Sequence, residues 1–168
     1  DVNLYIVESG SAYGTVKEFL KIIGKSYIPP LWAFGFGQSR WGYKDEGDIN
    51  AVVIGYKKAE IPLDYVCLDI DYMDGYKDFS VDKTRFPDFK RYVEKLKSAG
   101  VRLVPIIDAG VKVEAGDTVY EEGVKNGFFC TGGNGKPFGV AVWPGMTHLP
   151  DFFQPGAREW FGRKYKFL

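Results

Sequence analysis

The sequence has little of what a metal site or a disulfide scaffold needs. One histidine and two cysteines occur among 168 residues. His148 has no second histidine to share an ion with, and Cys67 and Cys130 lack ligand spacing, so no metal site is expected. Two cysteines make no disulfide framework, and Asp1-Val2-Asn3 does not open a charged-then-apolar leader. Together these lean towards a reducing, cytoplasmic setting. Charge of either sign is in no excess: 22 Lys and Arg balance 22 Asp and Glu. A neutral chain has no electrostatic footprint for a nucleic-acid partner or an anionic membrane surface. No apolar run approaches the roughly 18–20 residues that span a bilayer. Neither Gly-x-Gly-x-x-Gly after the first strand, nor a Walker-type glycine loop, nor a Gly-x-Ser-x-Gly elbow occurs. Nucleotide-binding sheets and one common serine-hydrolase design therefore lose weight. What is plentiful is aromatic: 13 Phe, 11 Tyr and 4 Trp, with 21 Gly. At 45% hydrophobic the chain has material for a packed core.

Residues 1–7 alternate polar and apolar side chains and predict a short strand, followed by a turn at Glu8-Ser9-Gly10. Val16, Phe19, Leu20 and Ile23 recur at helical spacing, with Gly24 placed to stop the helix. Pro29-Pro30 marks a junction. Beyond it, Leu31–Phe36 reads as a strand buried on both faces, Ile49 to Tyr56 as a helix, and Asp64–Ile70 as a second buried strand. Phe89 to Leu96 reads as a helix stopped by Gly100, and Val101–Ile107 as a third strand, to which Pro105 is a mild objection. This order means parallel strands with crossover helices, an α/β fold. Thr118 and Glu121 suggest a capping box for a helix through Lys125. Phe128-Phe129-Cys130 and Phe138–Trp143, around Gly132–Gly135, suggest a hairpin. Pro155-Gly156 opens a last helix with Trp160, Phe161, Tyr165 and Leu168 on one side. A (β/α)8 barrel takes about 250 residues, so three strands are expected to be part of something longer.

Function in parallel α/β folds gathers at the carboxyl ends of strands. Here those ends carry Arg40-Trp41-Gly42-Tyr43, Asp69-Ile70-Asp71-Tyr72-Met73-Asp74, and Asp108. A purely structural reading stands beside each. Trp41 and Tyr43 serve equally as packing aromatics, Arg40 as an ion-pair partner of Asp69 or Asp71, Asp108 as a loop cap, and His148 as a loop histidine. Strand alternation puts Asp69 and Asp71 on one side, where a cation or sugar hydroxyls would relieve their repulsion. Asp69, Asp71 and Asp74 do not keep the positions of a calcium loop, which needs glutamate where Ser80 stands.

These stretches resemble glycoside hydrolase family 31, the α-glucosidase family. The resemblance rests on Arg40-Trp41-Gly42-Tyr43, Ile61-Pro62-Leu63-Asp64, and Asp69–Asp74 with Asp78-Phe79. It extends through Ile106-Ile107-Asp108 and Val142-Trp143-Pro144-Gly145 with Pro150-Asp151-Phe152, and so covers essentially the whole chain. It implies that residues 1–30 are the end of an N-terminal β-sandwich domain with a linker helix. Residues 31–168 would be the first three βα units of a TIM (β/α)8 barrel. The implied activity is that of a retaining, exo-acting α-glucosidase acting on terminal α-linked glucose of oligosaccharides, without a cofactor. The family's nucleophile and acid/base aspartates are expected beyond Leu168, so no residue here is catalytic and this chain alone should be inactive. What carries over is substrate binding. Asp69 matches an aspartate that receives sugar hydroxyls, while Trp41, Ile106 and Trp143 match walls of that subsite, with Asp71 and Asp108 in support. The alternatives are an α-xylosidase or other family 31 α-glycosidase, or a non-catalytic sugar-binding segment.

Overall fold

The computed structural model describes residues 3–167. These fall into two compact units that divide between Phe34 and Gly35. Asp1, Val2 and Leu168, which the sequence assigned to the first strand and the last helix face, lie outside the described residues.

In the first unit the helix α1 (Ala12–Ile23) forms as its apolar spacing predicts. Ser11 caps it, accepting from the Gly14 N–H at 3.1 Å. Gly24, at φ 88°, ends it by donating to the Leu20 carbonyl. The strand expected at the start does not form over residues 3–9. Alternation alone makes no strand where no partner strand supplies the ladder. Leu31–Phe34, expected as a strand, is a 3-10 turn instead. Its Ala33 N–H donates to the Pro30 carbonyl at 2.9 Å, and a proline, with its fixed φ, suits the entry to a helical turn.

The second unit is built on β1 (Gly37–Arg40), α2 (Glu46–Lys58), β2 (Tyr65–Leu68), α3 (Phe89–Ser98) and β3 (Arg102–Pro105). The three strands are parallel, in the order β1-β2-β3. The first strand therefore starts later than its apolar run suggested and is polar, Gly-Gln-Ser-Arg. Glycine is required at its entrance, since a Cβ on Gly37 would overlap the Tyr65 ring, and one on Gly35 the Asp64 carboxylate. That carboxylate accepts the Phe36 N–H at 2.9 Å. Pro105 is tolerated because it closes β3. Asp45 and Asp88 cap α2 and α3 by accepting from Asp48 and Arg91. Val66 and Leu68 of β2 are buried with Ile49, Tyr72, Phe86, Tyr92 and Leu96 in one core. Tyr65 and Cys67, which alternate with them, are half-buried, so β2 is not the doubly buried strand that its apolar run suggested.

A second, antiparallel sheet follows, of β4 (Val111–Lys112), β5 (Gly139–Val142) and β6 (Gly145–His148), in the order β4-β6-β5. The Gly132–Gly135 turn is present, but Phe138–Val142 reverses at Trp143-Pro144 and pairs chiefly with β6 rather than with Phe128–Cys130. Gly145 at φ 101° allows that reversal. His148 thus lies in a strand, not a loop, beside the rings of Tyr120 and Phe129. The helix α4 (Thr118–Lys125) is capped by Asp117, which accepts from Tyr120, while Glu121 reaches the Gly116 N–H. The expected box is displaced by one residue. The helix α5 (Pro155–Lys164) buries Trp160 and Phe161 in a second core with Phe79, Val111 and Phe129. Tyr165 continues as a 3-10 turn.

Candidate functional site

Parallel register decides which residues meet at the end of the sheet. Arg40 pairs with Leu68 and Leu68 with Pro105. The next residue of each strand, Trp41, Asp69 and Ile106, therefore stands one step beyond a common row. All three line a single cavity of about 580 Å³, whose remaining walls are the last residues of the same three strands. Trp41 is 70% exposed and Ile106 40%, so an indole and an aliphatic side chain are free to meet a ligand.

Asp69 follows β2 and caps the short turn Ile70–Tyr72, its Oδ1 accepting the Ile70 N–H at 2.8 Å. Among the described residues Oδ2 has no protein donor and is free to accept from a ligand. Arg40 forms no ion pair with Asp69 or Asp71 among the described residues. Its Nε donates to the Trp41 carbonyl at 3.2 Å, and its guanidinium lies 6.0 Å from the Tyr43 ring centroid. Tyr43 is buried, whereas its neighbour Trp41 is not. The Cys67 thiol also faces the cavity, and burial pushes its pKa up, away from thiolate reactivity.

Asp71 does not share the side of Asp69, as strand alternation had suggested. The chain turns helical after Leu68, and Asp71 is buried, with Oδ1 3.9 Å from Arg85, whose Nη1 donates to the Asp71 carbonyl at 2.9 Å. Asp108 is half-buried behind Ile106, its N–H donating to Asp78 Oδ1 at 3.0 Å. Neither lines the cavity. Trp143 stands at the β5–β6 reversal, 68% exposed, beside a separate opening with Ala141 and Val142. The structure brings Trp41, Asp69 and Ile106 together and leaves Trp143 apart.

Two side chains that the sequence reading gave no role, though both stand in the stretches that carry the family resemblance, hold the backbone beside the cavity. The Tyr72 hydroxyl donates to the Ile106 carbonyl at 2.8 Å. Asp78 accepts from Asp108, and burial first, then the Asp108 charge, pushes its pKa up to about 7. Burial likewise raises the Tyr72 pKa. Their one signal in the sequence was their place in those stretches, Tyr72 within Asp69–Asp74 and Asp78 in Asp78-Phe79, which does not say what either side chain binds. Among the described residues no three His, Cys, Asp or Glu converge as metal ligands, and no helix is long and apolar enough to cross a membrane.

Residues 26–168 match the model of the glycosyl hydrolases family 31 TIM-barrel domain. The chain belongs to glycoside hydrolase family 31. Among its family 31 relatives, α-glucosidase 2 of Bacillus thermoamyloliquefaciens is 35% identical over 99% of this chain and 21% of its own length. α-Xylosidase 1 of Arabidopsis thaliana is 34% identical over 98% of this chain and 18% of its own length. A crystal structure of the glucosidase II α subunit superposes with TM-score 0.85 at 30% identity, covering 92% of this chain and 17% of that one. The chain thus spans about a fifth of the length of the curated relatives it matches.

Proposed function

We propose that the whole protein is a retaining, exo-acting α-glucosidase, and that this chain supplies the part of its site that holds the terminal glucose. The observation that carries this reading is the level row of Trp41, Asp69 and Ile106 in one cavity of a family 31 chain. A carboxylate with a free oxygen accepts hydroxyls in charge-assisted bonds. An exposed indole covers the apolar face of a pyranose. Retaining hydrolysis needs two carboxyl groups about 5 Å apart. Among the described residues Asp69 is the only carboxylate lining this cavity, so in this reading the nucleophile and acid/base are carried by other residues, beyond Leu168. Asp71 and Asp108 act from behind the wall, and Trp143 completes the subsite from the hairpin.

The same reading takes the parallel sheet as the first three βα units of a (β/α)8 barrel over residues 31–168. Residues 1–30 are then the end of a β-sandwich domain and its linker helix. Both cysteines are free, in keeping with a cytoplasmic setting.

In the full-length protein, Asp69→Asn should fold normally and lower kcat/KM for an α-glucoside at least about tenfold, since a charge-assisted bond contributes about 1.5–3 kcal/mol. Near-normal kcat/KM would make Asp69 structural. A second reading, α-xylosidase, is favoured by the likeness to the Arabidopsis enzyme. The two separate on kcat/KM for terminal α-glucosides against α-xylosides, which lack the hydroxymethyl group. Preference for the xyloside would replace the glucosidase reading.

A further inference from the structure

Ile106 and Asp108 lie past the end of β3 and are held from outside it. Three hydrogen bonds fix them, one from the last residue of β2 and two from the stretch that follows it. The Ile106 N–H donates to the Leu68 carbonyl at 3.0 Å. The Tyr72 hydroxyl donates to the Ile106 carbonyl at 2.8 Å, and the Asp108 N–H donates to Asp78 Oδ1 at 3.0 Å. Ile107, between the two side-chain anchors, packs against both hydrophobic cores.

The anchors are themselves immobile. Tyr72 is fully buried and stacks on Phe89 of α3, with ring centroids 5.9 Å apart and planes 13° apart. Asp78 is buried and precedes Phe79, whose ring sits in the second core 5.1 Å from that of Phe161. Asp78 has no cationic partner among the described residues, and its Oδ2 is buried without any hydrogen-bond partner. Burying a carboxyl in this way is costly, and the one bond it makes is to the segment carrying the cavity wall. Neither side chain lines the cavity, so any effect on a ligand passes through Ile106 and Asp108.

We propose that Tyr72 and Asp78 are positioning residues for the sugar site, clamping the Ile106 carbonyl and the Asp108 amide so that the Ile106 side chain stands opposite Trp41 and Asp69. This rests on the reading of the cavity as the holder of the terminal glucose. A slack wall weakens the grip on the sugar and leaves chemistry done by other residues alone. A merely structural loss lowers the fraction of active molecules, hence kcat, and leaves KM where it was.

The test uses the full-length protein, a chromogenic α-glucoside, and glucose as competitive inhibitor. Tyr72→Phe removes one clamp, and Asp78→Leu removes the other at similar volume. Each should raise KM and the glucose inhibition constant roughly three- to tenfold, with kcat changed less than about twofold. Asp78→Asn keeps an acceptor oxygen and should restore KM to within about twofold of wild type. The Asp108 amide should lose its hydrogen-exchange protection in Asp78→Leu and keep it in Asp78→Asn. Wild-type KM in a folded Tyr72→Phe protein overturns the proposal, as do equal losses in the Asn and Leu variants. Should Asp78→Leu not fold, Tyr72→Phe decides alone. Failure of the underlying function looks different: the wild-type protein itself would leave α-glucosides intact and bind no glucose. The clamp would then have no sugar to position, whatever the Asp108 amide shows, and the proposal falls with it.

Discussion

Asp69 and Asp71 sit two positions apart and end in unlike surroundings because β2 stops at Leu68. Asp69 keeps one oxygen for the cavity, while Asp71 turns inward towards Arg85. Asp78 is a third case, a carboxyl buried beside Asp108 with a pKa pushed up to about 7 from 3.8. Between those values the folded protein holds a proton that the unfolded chain has released. The stability that the neutral carboxyl contributes is therefore fully present below about pH 4 and is lost as pH rises towards 7. At about 1.4 kcal/mol per pH unit, the loss is bounded at about 4 kcal/mol. Asp78→Asn stays neutral throughout and keeps the acceptor for Asp108. Its stability relative to wild type should therefore climb between about pH 4 and pH 8. Denaturation curves across that range check this, and parallel pH profiles for the two proteins would mean that Asp78 ionises in the fold as freely as in water.

Elements with an amphipathic helical period were legible in the sequence, because α2, α3 and α5 bury one face and expose the other. The capping aspartates of α2 and α3, the glycine after α3 and the proline that opens α5 are local signals. β1 was not legible. Its four residues are polar, and its place is fixed by β2 across the sheet, a non-local fact. The apolar run before it belongs to a 3-10 turn. The hairpin was legible only in part: both glycine-bearing turns form, but the one at Gly132–Gly135 closes a single Thr131–Pro137 bridge, while the longer ladder is β5 with β6 across Trp143-Pro144, a pairing that no local signal fixes. Of the site, the strand-end row was legible, since parallel strands bring their ends level. The Tyr72 and Asp78 clamp was not, since nothing local says which carbonyl or amide a buried side chain will find. Packing between elements also explains a glycine inside α4. A Cβ on Gly123 would run into the Phe129 ring and come within 3.1 Å of Trp160, both in the second core. Gly123→Ala improves helix propensity, yet overpacking at such a site costs about 1–3 kcal/mol. The expected result is a lower Tm with kcat/KM unchanged, and a stabilised variant would mean that the Phe129 ring swings aside freely.

At the scale of the whole molecule, the cavity is lined by the ends of three parallel strands, and among the described residues Asp69 is its only carboxylate. Produced by itself, the 168-residue chain should leave a chromogenic α-glucoside intact, because retaining hydrolysis needs a carboxyl pair about 5 Å apart. Turnover above a blank, abolished by a substitution within the chain, would overturn this. The remaining question is whether Trp143 joins Trp41 on one sugar. They are separated by about a hundred residues of sequence and line different openings. Trp41 follows a strand of the parallel sheet, and Trp143 caps a hairpin of the antiparallel one, so no shared element ties them. Both indoles are exposed, at 70% and 68%, whereas Trp160 is buried at 2%. Glucose added to the full-length protein should therefore change fluorescence chiefly through the two exposed rings. Trp41→Ala and Trp143→Ala should each lower kcat/KM. If both rings grip one pyranose, the double variant should lose less than the product of the single losses, because the second truncation acts on a sugar already loosened. Coupling above about 0.5 kcal/mol, beyond the scatter expected of independent sites, places both tryptophans on the same ring. Additive losses would assign Trp143 to a neighbouring sugar unit of the oligosaccharide, and an inert Trp143→Ala would leave it as the packing residue of its own hairpin.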